Sequence, residues 1–180
     1  DVQTFDEDTF VRRSYPHQVS AARRALTTGG LLLADQMGLG KSQSALLAAA
    51  FYLGQRPDAK VLILGPLFTR SVWLAELRRM QLIHDESEVC VVKGKDTRSG
   101  DWFEAKWYFC HYDVVNEWFA RFRADPPAVV IADEAHYLRN SRTARSRGVA
   151  ILMGSAKLRL LLTGTPIENK PQDLHALLSM

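Results

Sequence analysis

The sequence predicts an α/β fold in which a mostly parallel sheet carries helices on both faces. Two observations predict it. Short apolar runs alternate along the chain with segments of helical periodicity. Several of these runs are apolar without alternation, which is typical of strands buried on both faces of a parallel sheet. The 180 residues suffice for one domain with a sizeable core. We therefore expect a single domain over residues 1–180.

Six apolar runs are predicted strands, and the segments between them show helical patterns. The strands cover residues 31–34, 61–64, 89–92, 107–110, 129–132 and 158–162. Apolar residues recur at helical spacing at Ala45, Leu46, Ala49, Ala50 and Leu53, at Val115, Trp118, Phe119 and Phe122, and at Leu174, Leu177 and Leu178. Ligands of such sheets bind beyond the carboxyl ends of the strands. Polar motifs that directly follow strands are therefore candidate sites.

The composition is that of a globular protein, with 47% hydrophobic and 24% charged residues. No apolar run is long enough to cross a bilayer, and the acidic residues 1–8 do not resemble a secretory signal. Cys90 and Cys110 each lie in a strand-like run, which predicts buried free thiols and an intracellular protein. The histidines are scattered, so a zinc site is not indicated. The net charge of +3 permits nucleic-acid binding without requiring it.

A glycine-rich turn joins the first predicted strand to a helix. The eight residues that end at Ser42 read Asp-Gln-Met-Gly-Leu-Gly-Lys-Ser. Gly38 and Gly40 allow backbone N–H groups to close around phosphates, and the helix N-terminus adds its positive dipole end. We predict that Lys41 reaches the β- and γ-phosphates and that the Ser42 hydroxyl binds Mg²⁺. The general P-loop pattern has glycine where this chain has Asp35, so the turn alone also fits a helix start without a ligand.

A second motif, Asp133-Glu134-Ala135-His136, follows the predicted strand at 129–132. A carboxylate at the end of a buried strand is the Walker B arrangement, in which Asp133 binds Mg²⁺ through water. Glu134 is placed to orient and deprotonate the attacking water. The alternative is that both carboxylates are solvated caps of the next turn. We expect this loop and the glycine-rich turn to end neighbouring strands and to grip one metal-bound triphosphate.

A third turn, Leu162-Thr163-Gly164-Thr165-Pro166, gains meaning only beside the first two. Together and in this order, residues 35–42, 133–136 and 162–169 resemble motifs I, II and III of Swi/Snf-type ATPases. These belong to the second superfamily of helicase-like nucleic-acid motors. The resemblance implies that residues 1–180 are one RecA-like P-loop NTPase lobe, the first of two. The second lobe, expected in cis, is absent from this chain and supplies an arginine finger, so we expect the isolated fragment to be nearly inactive.

Weaker matches extend the resemblance over nearly the whole chain. Tyr15-Pro16-His17-Gln18 resembles the Q motif, which implies that Gln18 reads the adenine edge. Residues 61–67, with Trp73 following, resemble motif Ia, residues 111–113 resemble motif Ib, and residues 138–140 resemble the segment after the acidic box. These matches imply phosphate contacts at Thr69, Arg70, Ser71, Tyr112, Arg139 and Asn140. The resemblance of the acidic box further implies that His136 lies at the nucleotide and couples the nucleotide state to the third motif through Thr163 or Thr165. The alternative is a surface histidine that follows a cap.

The resemblance implies a function for the complete protein. We expect an ATPase that uses ATP and Mg²⁺, is stimulated by double-stranded DNA of any sequence, and translocates to remodel protein–DNA or DNA structures. A strand-separating helicase of the same superfamily, from restriction, phage or repair systems, is one alternative. A nucleotide-gated DNA-binding module without enzymatic activity is another. We expect an intracellular protein without a membrane partner, nuclear if eukaryotic and cytoplasmic if bacterial or from a phage.

Overall fold

The computed structural model describes residues 7–34, 38–92, 94, 104–138, 140 and 142–164. All six predicted strands form within these residues. They are β1 (Gly30–Leu33), β2 (Val61–Gly65), β3 (Val89–Val92), β4 (Trp107–His111), β5 (Val129–Ala132) and β6 (Leu158–Leu162). They make one six-stranded sheet in the order β1-β6-β5-β2-β4-β3, and each pairing is parallel. The predicted α/β class is confirmed, with a described sheet that is parallel throughout.

Six helices connect and cover these strands in the described part of the chain. They are α1 (Glu7–Arg12), α2 (Pro16–Thr28), α3 (Lys41–Gln55), α4 (Arg70–Arg79), α5 (Phe119–Ala124) and α6 (Ala144–Ser155). Sequence signals explain their ends. A proline occupies the first position of α2, and Gly29 ends that helix at a φ of 72°. The Thr143 side chain caps α6 by accepting a hydrogen bond from a first-turn N–H group.

The helical pattern that starts at Val115 is only partly realised. Residues Tyr112–Val114 form a 3₁₀ turn, and α5 begins only at Phe119. The His111 side chain accepts a hydrogen bond from the Asp113 N–H group at 3.4 Å and so caps the short turn instead of a longer helix. The apolar pattern at Leu174, Leu177 and Leu178 lies outside the described residues.

The core lies on both faces of the sheet, because alternate residues of each strand point to opposite sides. Val61 and Ile63 of β2 pack into one apolar cluster with α2, α3 and α4. Leu62 and Leu64 pack into a second cluster with α5 and α6. Cys90 and Cys110 are buried free thiols. No helix among the described residues is both long and apolar enough to span a membrane.

The strand order corrects one expectation about the site. The glycine-rich turn follows β1 and the acidic motif follows β5, but β6 lies between these strands. The prediction that the two loops end neighbouring strands is therefore wrong. Paired strands are about 4.8 Å apart, so the ends of β1 and β5 are separated by about 10 Å. Because the strands are parallel, both loops nevertheless leave the same edge of the sheet.

Candidate nucleotide site

The glycine-rich turn leads directly into α3. Gly38 and Gly40 have φ angles of 86° and 72°, in the left-handed region that favours glycine. Helix α3 begins at Lys41, and its first turn contains no acidic residue. The first N–H groups of a helix have no partner within the helix and carry its positive dipole end. Lys41 and Ser42 thus stand at an N-terminus suited to an anion, as the sequence predicts. Residues 35–37 lie outside the described part of the chain.

Gln18 supports this turn from inside the protein. Only 1% of the residue is exposed. Its Oε1 atom accepts a hydrogen bond from the Tyr15 N–H group at 3.0 Å, and its Nε2 atom donates to Gln43 Oε1 at 3.2 Å. A Cβ atom added to Gly40 would collide with Gln18 Nε2. Gln18 therefore ties the start of α2 to the start of α3, and its reading of adenine stays a prediction.

Two rings lie beside Gln18 on the outer side of the turn. The His17 Nε2 atom lies 3.3 Å from the carbonyl oxygen of Leu39, within the glycine-rich segment. The ring of Tyr15 stacks on His17 with centroids 5.8 Å apart. Tyr15 is 68% exposed. The amino end of α2 thus presents an exposed aromatic surface next to the phosphate loop.

Asp133 lies at the end of β5 with both carboxylate oxygens engaged. Its Oδ2 atom accepts a hydrogen bond from Trp73 Nε1–H at 2.8 Å, and its Oδ1 atom accepts one from the Glu134 N–H group at 2.9 Å. Burial raises the pKa of Asp133, and the Trp73 hydrogen bond partly opposes that rise. A bound cation would stabilise the ionised form that burial disfavours. The location and chemistry of this carboxylate therefore suit a metal ligand.

Glu134 has a backbone φ of 49°, a left-handed conformation that is uncommon for a residue other than glycine. Its Oε2 atom lies 3.1 Å from Nδ1 of His136. The His136 ring in turn lies against Tyr137, with ring centroids 4.6 Å apart. The tight turn after β5 thus brings the candidate base and the candidate coupling histidine into direct contact.

Thr163 follows β6 and so lies between the two halves of the site. It is buried, and its N–H group donates to the carbonyl oxygen of Leu33, the last residue of β1, at 3.0 Å. The predicted role of Thr163 in coupling the nucleotide state to the third motif stays a prediction. Thr165, the other predicted coupling residue, lies outside the described residues.

The structure corrects two of the predicted phosphate contacts. Tyr112 is only 2% exposed, and its hydroxyl donates to the carbonyl oxygen of Asp133 at 2.6 Å. Thr69 is 8% exposed, and its hydroxyl donates to the carbonyl oxygen of Pro66 at 2.9 Å. Both side chains point into the protein, so neither is available to a phosphate on the surface. The physical reason is that each occupies the first turn after a strand, where it packs beside Asp133 instead of facing solvent.

The remaining predicted contacts lie nearer to solvent. Arg70, at the start of α4, is half-buried, and Ser71 is exposed. Asn140 is exposed, and its Oδ1 atom accepts a hydrogen bond from the Arg142 N–H group at 3.1 Å. Arg139 lies outside the described residues. Arg70, Ser71 and Asn140 therefore remain candidates for phosphate contacts.

Trp73 is a site residue whose contact the sequence did not predict. It is 1% exposed and belongs to the core, and its indole N–H group also bonds the Asp133 carboxylate. The available signal was its position after the motif Ia strand, close in sequence to the candidate phosphate contacts. The spacing between Trp73 and Asp133 gave no indication, because they are 60 residues apart.

The described residues fit a magnesium nucleotide. The Ser42 hydroxyl and the Asp133 carboxylate provide oxygen donors, which Mg²⁺ prefers. The space beside Gly38 is open, since a Cβ atom there would meet nothing within 4 Å. The helix N-terminus and Lys41 offer positive charge to phosphates. When bound, Mg²⁺ would neutralise charge on the transferred phosphoryl group, and Glu134 would hold the attacking water.

The sequence is similar to those of known proteins. The family model described as the SNF2-related domain matches residues 18–180. A Xenopus laevis protein, "SWI/SNF-related matrix-associated actin-dependent regulator of chromatin subfamily A-like protein 1", is 33% identical over 82% of this chain. "Uncharacterized ATP-dependent helicase YqhH" of Bacillus subtilis is 33% identical over 92% of it. The chain spans only 15% and 28% of the lengths of these relatives.

A solved structure has the same fold. The "Sulfolobus solfataricus SWI2/SNF2 ATPase core in complex with dsDNA" superposes with a TM-score of 0.73 at 26% identity. The match covers 90% of this chain and 34% of the other.

Proposed function

Because the chain belongs to the SNF2-related domain family, we propose that it is the first RecA-like lobe of an ATPase that moves along double-stranded DNA. The observation that carries this proposal is that both loops lie at the carboxyl ends of the parallel strands. There the P-loop after β1 and the Asp133–Glu134 turn after β5 flank the end of β6. A phosphate loop and a metal-binding carboxylate at one edge are what phosphoryl transfer from ATP requires.

The side chains have distinct roles in this proposal. Lys41 and the N–H groups of α3 bind the β- and γ-phosphates, and Ser42 and Asp133 bind Mg²⁺. Glu134 orients the attacking water and accepts its proton. Gln18 links the start of α2 to the start of α3 beside the P-loop and contacts the adenine base. His136, in contact with Glu134, and Thr163, bonded to the end of β1, report the state of the nucleotide to the third motif.

Duplex DNA is the proposed partner. The similar Sulfolobus solfataricus ATPase core was solved in complex with dsDNA, and the candidate contacts Arg70, Ser71 and Asn140 lie near or at the surface. Arginine, hydroxyl and amide groups bind phosphates without reading base sequence. Such contacts suit a motor that travels along any sequence.

A second lobe in cis completes the proposed machine. In phosphoryl transfer an arginine supplied from outside the phosphate site raises the rate by roughly 10³–10⁵. We therefore expect the 180-residue chain alone to hydrolyse ATP very slowly. The full-length protein becomes efficient when duplex DNA helps to close the cleft between its lobes.

ATP turnover with and without duplex DNA tests the proposal, measured on this chain and on the full-length protein. We expect strong DNA stimulation only at full length, and no nucleotide binding by Lys41→Ala. Lys106→Ala, which removes a lysine just before β4 at the opposite edge of the sheet, is the matched control and should bind ATP normally. Normal ATP binding by Lys41→Ala would refute the site.

A displacement assay separates the proposed translocase from a strand-separating helicase. We expect the full-length protein to displace a third strand from a triplex while leaving a blunt-ended duplex paired. Unwinding of the blunt-ended duplex would favour the helicase. DNA binding that responds to ATP without any turnover would favour the non-enzymatic module.

A further inference from the structure

Asp133 is held at its carboxylate by a group from another part of the chain. Trp73 of α4 donates its indole N–H group to Asp133 Oδ2 at 2.8 Å. The same carboxylate receives the Glu134 N–H group on its other oxygen. Because each oxygen accepts a hydrogen bond, rotation of the carboxylate would break at least one of these bonds. The free lone pairs of Asp133 therefore point in a fixed direction.

The end of β2 and the turn before α4 approach Asp133 closely. A Cβ atom added to Gly65, at the end of β2, would lie 2.8 Å from Thr69 Oγ1 and 3.4 Å from Asp133 Cβ. Only glycine allows the end of β2, the turn before α4 and Asp133 to approach so closely. Trp73 itself is buried, so its indole cannot swing away.

The backbone of Asp133 is held by two further hydrogen bonds. Its N–H group donates to the carbonyl oxygen of Leu64 at 2.7 Å, and its own carbonyl oxygen accepts the Tyr112 hydroxyl at 2.6 Å. That carbonyl belongs to the peptide that leads into Glu134, whose φ of 49° is unfavourable for a glutamate. The Tyr112 bond fixes the plane of this peptide and so the direction in which Glu134 leaves the strand.

We propose that Trp73 and Tyr112 are positioning residues, Trp73 for the Asp133 carboxylate that binds Mg²⁺ and Tyr112 for the peptide that directs Glu134. This inference rests on the proposed function, because it assigns Asp133 to the metal and Glu134 to the water. Groups that hydrogen-bond a metal-ligating carboxylate commonly change metal affinity by 10- to 100-fold when they are removed. The two residues should therefore have separable effects, one on metal binding and the other on turnover.

The Trp73 half is tested with Trp73→Phe in the full-length protein. Phenylalanine keeps an aromatic ring in the core but has no N–H donor. We expect the Mg²⁺ concentration that half-saturates binding of a labelled, non-hydrolysable ATP analogue to rise about 10- to 100-fold, measured by fluorescence anisotropy. Binding of the analogue in EDTA should not change. An unaltered Mg²⁺ dependence would overturn this half.

Trp118→Phe is the matched control. It also removes a buried indole N–H donor, which bonds the carbonyl oxygen of Gly94 at 3.1 Å, away from Asp133. We expect its Mg²⁺ dependence to stay within about twofold of wild type, since no ligand of the metal is disturbed. An equal rise in both variants would mean that lost packing is responsible, and it would overturn the assignment.

A measurement on the wild-type protein avoids any folding defect of the variants. With ¹⁵N-labelled tryptophan and the ATP analogue bound, addition of Mg²⁺ should shift the indole N–H resonance of Trp73. The resonance of Trp118 should stay in place. A Trp73 resonance that does not respond to Mg²⁺ would overturn its link to the metal site.

The Tyr112 half is tested with Tyr112→Phe, which deletes a single hydroxyl group. We expect kcat to fall about tenfold, as loss of one buried hydrogen bond predicts, while KM for ATP and the half-saturating Mg²⁺ stay unchanged. A wild-type kcat would overturn this half. Lys41→Ala distinguishes a failure of this inference from a failure of the proposed function. If Lys41→Ala loses nucleotide binding while Trp73→Phe and Tyr112→Phe behave as wild type, only the present inference fails.

Discussion

Replacing Gly40 with alanine should damage the phosphate loop more than the same change at Gly38. Both glycines have left-handed φ angles, so alanine is strained at either position. The surroundings differ. A Cβ atom at Gly38 would meet nothing within 4 Å, whereas one at Gly40 would collide with the buried amide of Gln18. Gly38→Ala is therefore a matched control for the steric part of the effect.

The magnitude follows from these contacts. A left-handed conformation costs alanine about 1–2 kcal/mol, and this is the whole expected effect of Gly38→Ala. In Gly40→Ala the Gln18 amide must also move and give up its bond to Gln43, which costs about 1–3 kcal/mol more for a buried group. Gly40→Ala should then lower the free energy of unfolding by about 2–5 kcal/mol.

Urea denaturation of the two variants, alone and combined with Gln18→Ala, measures both parts. In the Gln18→Ala background the collision is absent, so Gly40→Ala should cost no more than Gly38→Ala. This non-additivity is the signature of direct contact. Equal losses for Gly38→Ala and Gly40→Ala in the wild-type background would show that Gln18 does not pack beneath the loop.

Three further predictions concern other parts of the lobe. Glu134→Gln should bind ATP with wild-type affinity, as measured by calorimetry. It should lower ATP turnover of the full-length protein about 10²–10⁴-fold, as measured by phosphate release. Full activity would refute the role of Glu134 as the base. Thr143→Ala should lower the free energy of unfolding by about 0.5–2 kcal/mol because α6 loses its cap, and Thr143→Ser should retain most of the wild-type stability. Urea denaturation measures both variants. Lys60 bonds Glu104 and Asp125 near the surface, so Lys60→Met should cost at most about 1 kcal/mol. Burial lowers the pKa of Lys60, but these carboxylates outweigh burial and raise it above its usual value of 10.5. Lys60 therefore stays protonated up to pH 10, and on the alkaline side the stability difference between wild type and variant, measured in thermal melts, should disappear as the pH rises through that raised pKa.

The strands were predictable to within one residue because strands buried on both faces must be apolar throughout. The order of the strands was not. Periodicity reports the environment of each segment but not its partner, so nothing along the chain indicated that β6 pairs with both β1 and β5. This is why the phosphate loop and the acidic turn were expected on adjacent strands.

The candidate site shows the same division. Lys41, Ser42, Asp133 and Glu134 could be located from local motifs, because a strand end and a helix start fix where their side chains emerge. The inward direction of Tyr112 could not, since a motif places a segment near the site without saying which of its residues faces the core. Hydrogen bonds across long separations, such as those to Asp133, depend on the packed fold alone.

The position of β6 also bears on how the protein is made. Residues 30–33 and 129–132 acquire their shared neighbour only when residues 158–162 have left the ribosome and inserted between them. Until then each strand has unpaired backbone groups on the side that β6 will occupy, and such groups can pair with other chains. A nascent chain that ends before Leu158 therefore cannot assemble a working pocket, however complete its P-loop and acidic turn.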